Sequence, residues 1–441
     1  MHPVSPRALR ALQAAGALLW LAGSILRAEE ALTLDDALKL ARAANARLPL
    51  PAFDIDIARA RRDEVRAERW LQVAMEGDFV YAPASGYDPI LTNLGEARSQ
   101  LVARQPLLDG GARRAAVADA EAGMAAAGAR YRAAEKDLDL EVRSRFVEIL
   151  EADDEAEIRR AGIDRLTAYR TSLRSRQAAG QPVAGDLLKT DVRAAADEAD
   201  ALEAEQRADA ARLELNDLMG REPKAPLRLV PLPEPEAPAG LPADAWTRAP
   251  EIAEADAEAR SADARLAIAR AERRPQLSLR ADVGLWGSDT TQMIPPDLRA
   301  SDPDATVWDR IRRDAGYSFS LSLTWPLWDL GAMRARVAQA EASLQQARQR
   351  LEVERREARL QWERADATLR NVYRQINLLT ASVPNAHDAY LEAESRYRGG
   401  AAAALEVLDA YSSWVEAQVK LAEAVSRYHI ARAVAVRWGT P

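Results

Sequence analysis

Two acids and two histidines are the side chains in this sequence best placed for chemistry. Asp186 and Glu406 each follow a glycine, Gly180 or Gly400, by six residues. A convergent pair of carboxylates is the usual equipment of a general acid and base. His387 and His429 are the histidines outside the first few residues, His2 being the third. Neither has the spacing of a metal site, and no nucleophile motif accompanies them. Acids are also ordinary at helix starts, where the backbone dipole favours negative charge. The chain contains no cysteine. That excludes disulfides, Cys-based metal sites and nucleophiles, and a lipid-modified N-terminal cysteine. Catalysis is therefore the weakest class of function, and no cofactor or metal is expected.

The two acids occupy matched positions because the chain contains itself twice. Pro106, Leu107, Asp109, Val117 and Glu121 return as Pro326, Leu327, Asp329, Val337 and Glu341, an offset of 220. The same offset carries Gly180, Asp186 and Leu188 onto Gly400, Glu406 and Leu408. Upstream, Glu68 and Gln72 match Glu272 and Gln276 at an offset of 204, so the second copy has 16 extra residues between these anchors. Residues 221–245 hold seven prolines and separate the copies. The division read from the sequence is a secretory signal at 1–28, a first repeat at 29–220, the proline-rich linker, and a second repeat at 246–441.

The signal rests on Arg7 and Arg10, the apolar stretch Ala11 to Leu26, and the small Ala28. Without Arg7, Arg10 and Arg27, the 60 basic residues fall to 57 against 68 acidic ones, a net charge of −11. Such a surface repels nucleic acid. No segment after the signal offers 18 consecutive apolar residues, so no membrane-spanning helix is expected. Hydrophobic residues make up 48% of the chain but aromatics only 5%. That mix suits long helices with narrow small-residue seams.

The elements that position the turns alternate between two periods. Thr33 caps a helix that begins Leu34-Asp35-Asp36 and breaks near Pro49 and Pro51. Val73, Met75, Gly77, Phe79 and Tyr81 then alternate with polar neighbours, the period of a strand. A second strand is expected over about 97–105, closing a hairpin at 72–105. The second repeat shows the pattern more clearly. Leu277, Leu279, Val283 and Leu285 alternate on one side of a long connecting loop, about 287–315, and Tyr317, Phe319, Leu321 and Leu323 on the other. This second hairpin spans 276–325. Each strand has the ten-residue length and apolar–polar dyad of an outer-membrane barrel wall, although a half-buried soluble sheet alternates in the same way. Four strands cannot close a barrel, so a barrel requires several chains.

Long helical hairpins follow each strand pair, at 110–220 and 331–438. The first runs without proline from 111 to 178, roughly 100 Å at 1.5 Å per residue. In the second, Val337, Leu344, Leu351 and Ala358 recur every seven residues, a coiled-coil seam. Gly180 and Gly400 fit helix C-termini that require a left-handed residue. Asp186 and Glu406 fit the first turns of the returning helices.

The duplication, the strand-pair and long-helix order, the opening Leu32-Thr33-Leu34-Asp35-Asp36 and the turn Tyr397…Gly400…Glu406…Asp409 together resemble the TolC family of outer-membrane efflux and secretion ducts. The resemblance implies a mainly α protein with a small β part. Long antiparallel coiled-coil hairpins are joined to four strands per protomer, which enter a trimeric 12-stranded outer-membrane barrel. It implies a homotrimer that meets outer-membrane lipid, a periplasmic adaptor protein and an inner-membrane transporter, as exit duct of a tripartite efflux pump or a type I secretion system. It places Glu406 and Asp409 in acidic rings at a periplasmic gate, Tyr397 and Asp186 in a latch, and Gly180 and Gly400 in turns that contact the adaptor. Two positions depart from the family pattern: Ala402 replaces an arginine that forms a second latch, and Trp70 replaces the proline that opens the first strand. The alternative reading is a soluble periplasmic coiled-coil structural or adaptor protein, which would need a layer to cover Leu277, Leu279, Leu285, Phe319, Leu321 and Leu323.

Overall fold

The computed structural model describes residues 31–83, 94–180, 183–240 and 242–439. The expected signal at 1–28 and much of the first strand-connecting loop lie outside the described residues. The chain forms two compact units, and each draws on both repeats. One gathers Met1–Leu50, Arg132–Ala249 and Glu357–Pro441; the other gathers Pro51–Tyr131 and Pro250–Arg356.

The second of these units contains the sheet. Strands β1 (Gln72–Tyr81), β2 (Gly95–Leu108), β3 (Gln276–Ser288) and β4 (Ala315–Thr324) form one antiparallel sheet in the order β1-β2-β3-β4. β2 extends beyond the expected 97–105 because β3 pairs with it as far as Leu108, across an irregularity at Pro106. The register aligns the apolar sets: Met75 lies opposite Leu101, Leu101 opposite Val283, and Val283 opposite Tyr317. One face is therefore mainly apolar, and its outer members stay bare. Met75, Phe79, Tyr317 and Phe319 are each more than 70% exposed. The opposite face carries charge. Glu76 pairs with Arg104 and Arg280, Arg280 reaches Asp282, and the Ser318 hydroxyl donates to Asp282 at 3.0 Å. Arg98 stacks its guanidinium over the Trp286 ring at 4.8 Å.

Helices α1 (Leu34–Ala44) and α2 (Pro49–Ala67) precede the sheet in sequence, and α5 (Pro250–Ala271) precedes β3. α1 starts as the sequence implies, with the Thr33 hydroxyl accepting from the Asp36 amide at 3.2 Å. The stretch read as a loop between β3 and β4 contains two short helices, α6 (Pro296–Ser301) and α7 (Val307–Asp314). Thr306 and Asp309 form a capping box at α7. Arg310 then donates to the carbonyls of Ser288, Asp289, Gln292 and Met293, tying the insert to the end of β3. α7 is amphipathic, with Val307, Trp308 and Ile311 set against its arginines, and Arg313 reaches Asp297 of α6 at 2.8 Å.

The long hairpins are α3 (Ala112–Ala178) with α4 (Ala184–Leu218), and α8 (Ala332–Arg398) with α9 (Ala404–Gly439). The heptad seam is real and longer than expected: Val337, Leu344, Leu351, Ala358, Ala365 and Val372 are all buried at seven-residue intervals. In the sheet unit its first part packs Val337 and Leu344 on Leu266 of α5. In the helical unit its later part packs Leu369, Val372 and Ile376 on Ala424, Tyr428 and Ala431 of α9. α8 continues through Pro384, although proline withdraws one backbone donor.

The proline-rich segment is bound to the helical unit. The Asn216 amide donates to the carbonyls of Pro223 and Ala225, at 3.0 and 2.9 Å. Leu229 bridges in parallel to Leu32, and the Tyr428 hydroxyl donates to the Glu236 carbonyl at 2.7 Å. These bonds satisfy polar groups that proline-rich backbone cannot pair internally.

Close strand approach makes one glycine of β3 sensitive. A Cβ on Gly284 would stand 2.1 Å from the Ser99 carbonyl oxygen and 2.6 Å from the Gln100 Cα. Backbone cannot yield as a side chain can. Gly284→Ala is expected to destabilise the sheet by about 1–3 kcal/mol, read as a lowered urea midpoint of tryptophan fluorescence. Gly77→Ala, whose Cβ would meet only the Arg98 carbonyl at 3.7 Å, serves as the near-neutral control.

Candidate functional site: the paired helix turns

Both turns form where a helix runs out of hydrogen-bond partners and glycine accepts the required conformation. Gly180 after α3 has φ +83° and Gly400 after α8 has φ +77°. A side chain at either position would meet no neighbouring atom within 4 Å, so any penalty for substitution comes from the backbone angle. Asp186 and Glu406 lie in the first turns of α4 and α9. Glu406 reaches back to the Ala403 amide at 3.4 Å and pairs with Arg396 at 3.6 Å, with both side chains about half exposed. Asp409 is exposed one turn further on the same face of α9.

The structure brings Tyr397 and Asp186 together. The Tyr397 hydroxyl donates to the Asp186 carboxylate at 3.1 Å, across 211 residues of sequence. Glu406 and Asp409 do not join this pair. Ala402 packs against the apolar cluster around Tyr397, Val407 and Leu408.

Arg176 was not legible as a site residue. It belongs to the last turn of α3, yet it serves the end of α8. Its guanidinium lies over the Tyr397 ring at 4.8 Å and reaches the carbonyls of Tyr397 and Arg398 at 3.5 and 3.3 Å. A cation at a helix C-terminus meets the negative end of the dipole. The Tyr169 ring meets Tyr397 edge to face, with centroids 5.7 Å apart. Burial pushes the Tyr397 hydroxyl above the ordinary phenol range, so it remains a donor at physiological pH.

A second tyrosine–aspartate pair lies deeper in the same cluster. Asp197 of α4 has no exposed surface. It accepts from the Tyr411 hydroxyl at 2.7 Å and pairs with Arg193 at 3.0 Å and Arg159 at 3.3 Å. Three donors compensate a carboxylate that burial would otherwise penalise heavily. The Tyr411 hydroxyl fits only because position 162 of α3 is glycine; a Cβ there would stand 2.3 Å from it. Burial pushes the Tyr411 hydroxyl well above its usual value. Repeat matching could not reveal this pair. At the 220 offset, Asp197 faces Ala417 and Tyr411 faces Asp191, so neither partner has a copy.

The His387 ring lies tilted against Trp414 with centroids 4.6 Å apart, while His429 lies elsewhere on α9. Among the described residues, no three His, Asp or Glu side chains gather in the manner of a metal site. The turns therefore offer exposed carboxylates, two tyrosine–aspartate ties and arginine-capped helix ends.

Comparison with known proteins identifies the family. The family model described as outer membrane efflux protein matches residues 23–221 and 241–434. The pyoverdine export outer membrane protein OpmQ of Pseudomonas aeruginosa is 26% identical over 285 residues, 63% of this chain and 56% of the relative. The chain thus spans little more than half the length of that relative. Among solved structures, the outer-membrane channel OprN superposes with a TM-score of 0.81 at 21% identity, covering 92% of this chain and 89% of that one. VceC of Vibrio cholerae superposes with a TM-score of 0.78 at 19% identity, covering 92% and 97%.

The two ties differ in depth, and so in cost. Tyr411→Phe leaves a fully buried carboxylate short of one donor and is expected to cost about 1–3 kcal/mol. Tyr397→Phe leaves Asp186 partly open to water and is expected to cost roughly 0.5–1.5 kcal/mol. Thermal melts followed by helical circular dichroism should rank them in that order.

Proposed function

This chain belongs to the outer membrane efflux protein family, and we propose that it is the passive exit duct of a tripartite efflux pump, gated at the paired turns. It is an outer-membrane protein that extends into the periplasm. The observation that carries the reading is the sheet. Its two outer strands, β1 and β4, have one paired edge each among the described residues. Its apolar face has no covering layer among the described residues, with Leu321 and Leu323 still 63% and 65% exposed. Lipid suits such a face but does not tolerate open edges. Three copies pairing β4 of one to β1 of the next would make a closed wall of twelve strands, with the charged face of Glu76, Arg98, Arg104 and Arg280 turned inward. A soluble coiled-coil protein would need a cover that the described residues do not provide.

At the paired turns, threefold repetition would make rings of Glu406 and Asp409 that attract cations and oppose anions. The Tyr397–Asp186 bond ties α8 to α4 and would have to break, or slide, for those rings to widen. Arg176 supports the closed arrangement by holding the end of α8, a part of the work that Ala402 does not perform. The turns at Gly180 and Gly400 are the surfaces offered to a periplasmic adaptor protein, which would connect the duct to an inner-membrane transporter. Nothing in this reading requires catalysis or a cofactor. The export role named for OpmQ supports outward passage here.

The test is single-channel recording of the purified protein in a planar bilayer, with chemical crosslinking to count chains. A small cation-selective conductance from a trimer is expected; a monomer that does not insert overturns the reading. Replacing Glu406 and Asp409 together with alanine is expected to lower cation selectivity, measured as a shift of the reversal potential in a salt gradient. Tyr397→Phe is expected to raise the time spent open without altering selectivity.

A further inference from the structure

The proline segment roofs a cavity in the helical unit that the duct reading does not use. The cavity measures about 370 Å³. Its roof is Val230 to Pro233, and its floor is formed by α1, α3 and α9. The roof is fixed at both ends. On one side Leu32 donates to the Arg228 carbonyl at 2.8 Å and Val230 donates to the Leu32 carbonyl at 3.0 Å. On the other, the Tyr428 hydroxyl holds the Glu236 carbonyl. The cavity is thus built by an anchored strap rather than left by a loose loop.

Its lining has two characters. Leu34, Val147, Leu232 and Val436 supply an apolar wall. Arg143, His429 and Arg432 supply the polar part. Asp35 is the carboxylate in the lining, and it sets one negative charge against two guanidinium groups. Pro231 and Pro233 have no N–H, so the roof adds few donors of its own.

Among the described residues neither Arg143 nor Arg432 makes a hydrogen bond or ion pair, although Asp139 and Asp35 lie near Arg143. Arg143 is part-buried on α3. Burial pushes its guanidinium below the ordinary value, and Arg42 and Arg432 add to that, against the nearby Asp139 and Asp35. Asp139 is already bound by Arg42. His429 turns the same way: its Nε2 is buried without a hydrogen-bond partner. Burial and the Arg432 charge hold its imidazole below the usual pKa, so it is neutral at pH 7 and free to donate or accept. A part-buried guanidinium and an orphaned ring nitrogen cost stability unless something else completes them.

We propose that this cavity is a binding site for a small organic anion, whose carboxylate is held by Arg143 and Arg432 and whose apolar body lies against Leu34, Val147 and Val436. Guanidinium groups match the planar geometry of a carboxylate. His429 supplies a further hydrogen bond at its Nε2. The strap closes over the ligand, so occupancy stabilises the attachment of the linker between the two repeats to the helical unit.

The probe is 4-fluorobenzoate, followed by ¹⁹F nuclear magnetic resonance on the full-length purified protein. Saturable broadening is expected. The neutral isostere 4-fluorobenzamide is expected to bind at least tenfold more weakly, and inorganic phosphate at equal concentration should fail to displace the benzoate. Arg432 is exposed, so Arg432→Gln should fold as the parent does; it is expected to weaken benzoate binding about tenfold, as is Arg143→Gln. Four outcomes overturn the proposal. These are no saturable binding, equal binding of benzamide, unchanged binding in both variants, and displacement by phosphate, which would reveal an ion site without an apolar half.

Discussion

A strand in hydrocarbon must have its backbone N–H and C=O groups paired, and this sheet leaves two rows of them open. β1 and β4 are ten-residue edges with no partner among the described residues. An exposed edge of that length on a soluble protein would template aggregation. The bare apolar face beside it makes water a poor environment as well. Edge pairing between copies would answer the first problem, and lipid against the apolar face the second. The strand alternation and the division into an apolar and a charged face take their meaning from that constraint.

The long helices face a different constraint. A helix of 67 residues offers far more surface than four strands can cover, so it must find partners along its length. The solution is a seam of small and medium residues. Ala201, Ala204, Ala208 and Ala211 are all buried on α4, and the heptad positions of α8 are buried in turn. Alanine seams let backbones approach closely but provide little apolar area per residue. Cross-helix charge pairs accompany them, such as Arg207 with Glu155 and Arg212 with Asp153. Exposed pairs of this kind contribute little each. The fully buried Asp197 differs, because removing any of its donors would strand a charge in the core.

At the paired turns, near-symmetry in sequence is broken where the structure ties the repeats together. Asp186 and Glu406 are equivalent positions, yet one accepts a tyrosine and the other meets Arg396 in the open. Tyr397 corresponds to Gln177, which cannot return the same contact. The two repeats therefore share a scaffold and divide the work: the first supplies acceptors, the second supplies the tyrosines and the exposed acids. Arg176 completes the division by capping the second repeat's helix from the first repeat's side.

Much was legible from the sequence alone, for physical reasons. Period two over ten residues, period seven over α8, glycines where φ must be positive and acids in first turns are all local rules, and a duplicated chain states each of them twice. The edge-strand problem also followed from counting strands. Three things were decided only by tertiary structure. The placement of α7 against the end of β3 depends on Arg310 reaching four carbonyls, partners that no local pattern names. The Asp197–Tyr411 tie depends on a glycine on a third helix that leaves room for a hydroxyl. The cavity under the proline strap depends on bonds between segments about 190 residues apart, Tyr428 and Glu236 among them. Local pattern specifies which elements form; which unpaired side chains those elements bring face to face is a property of their packing.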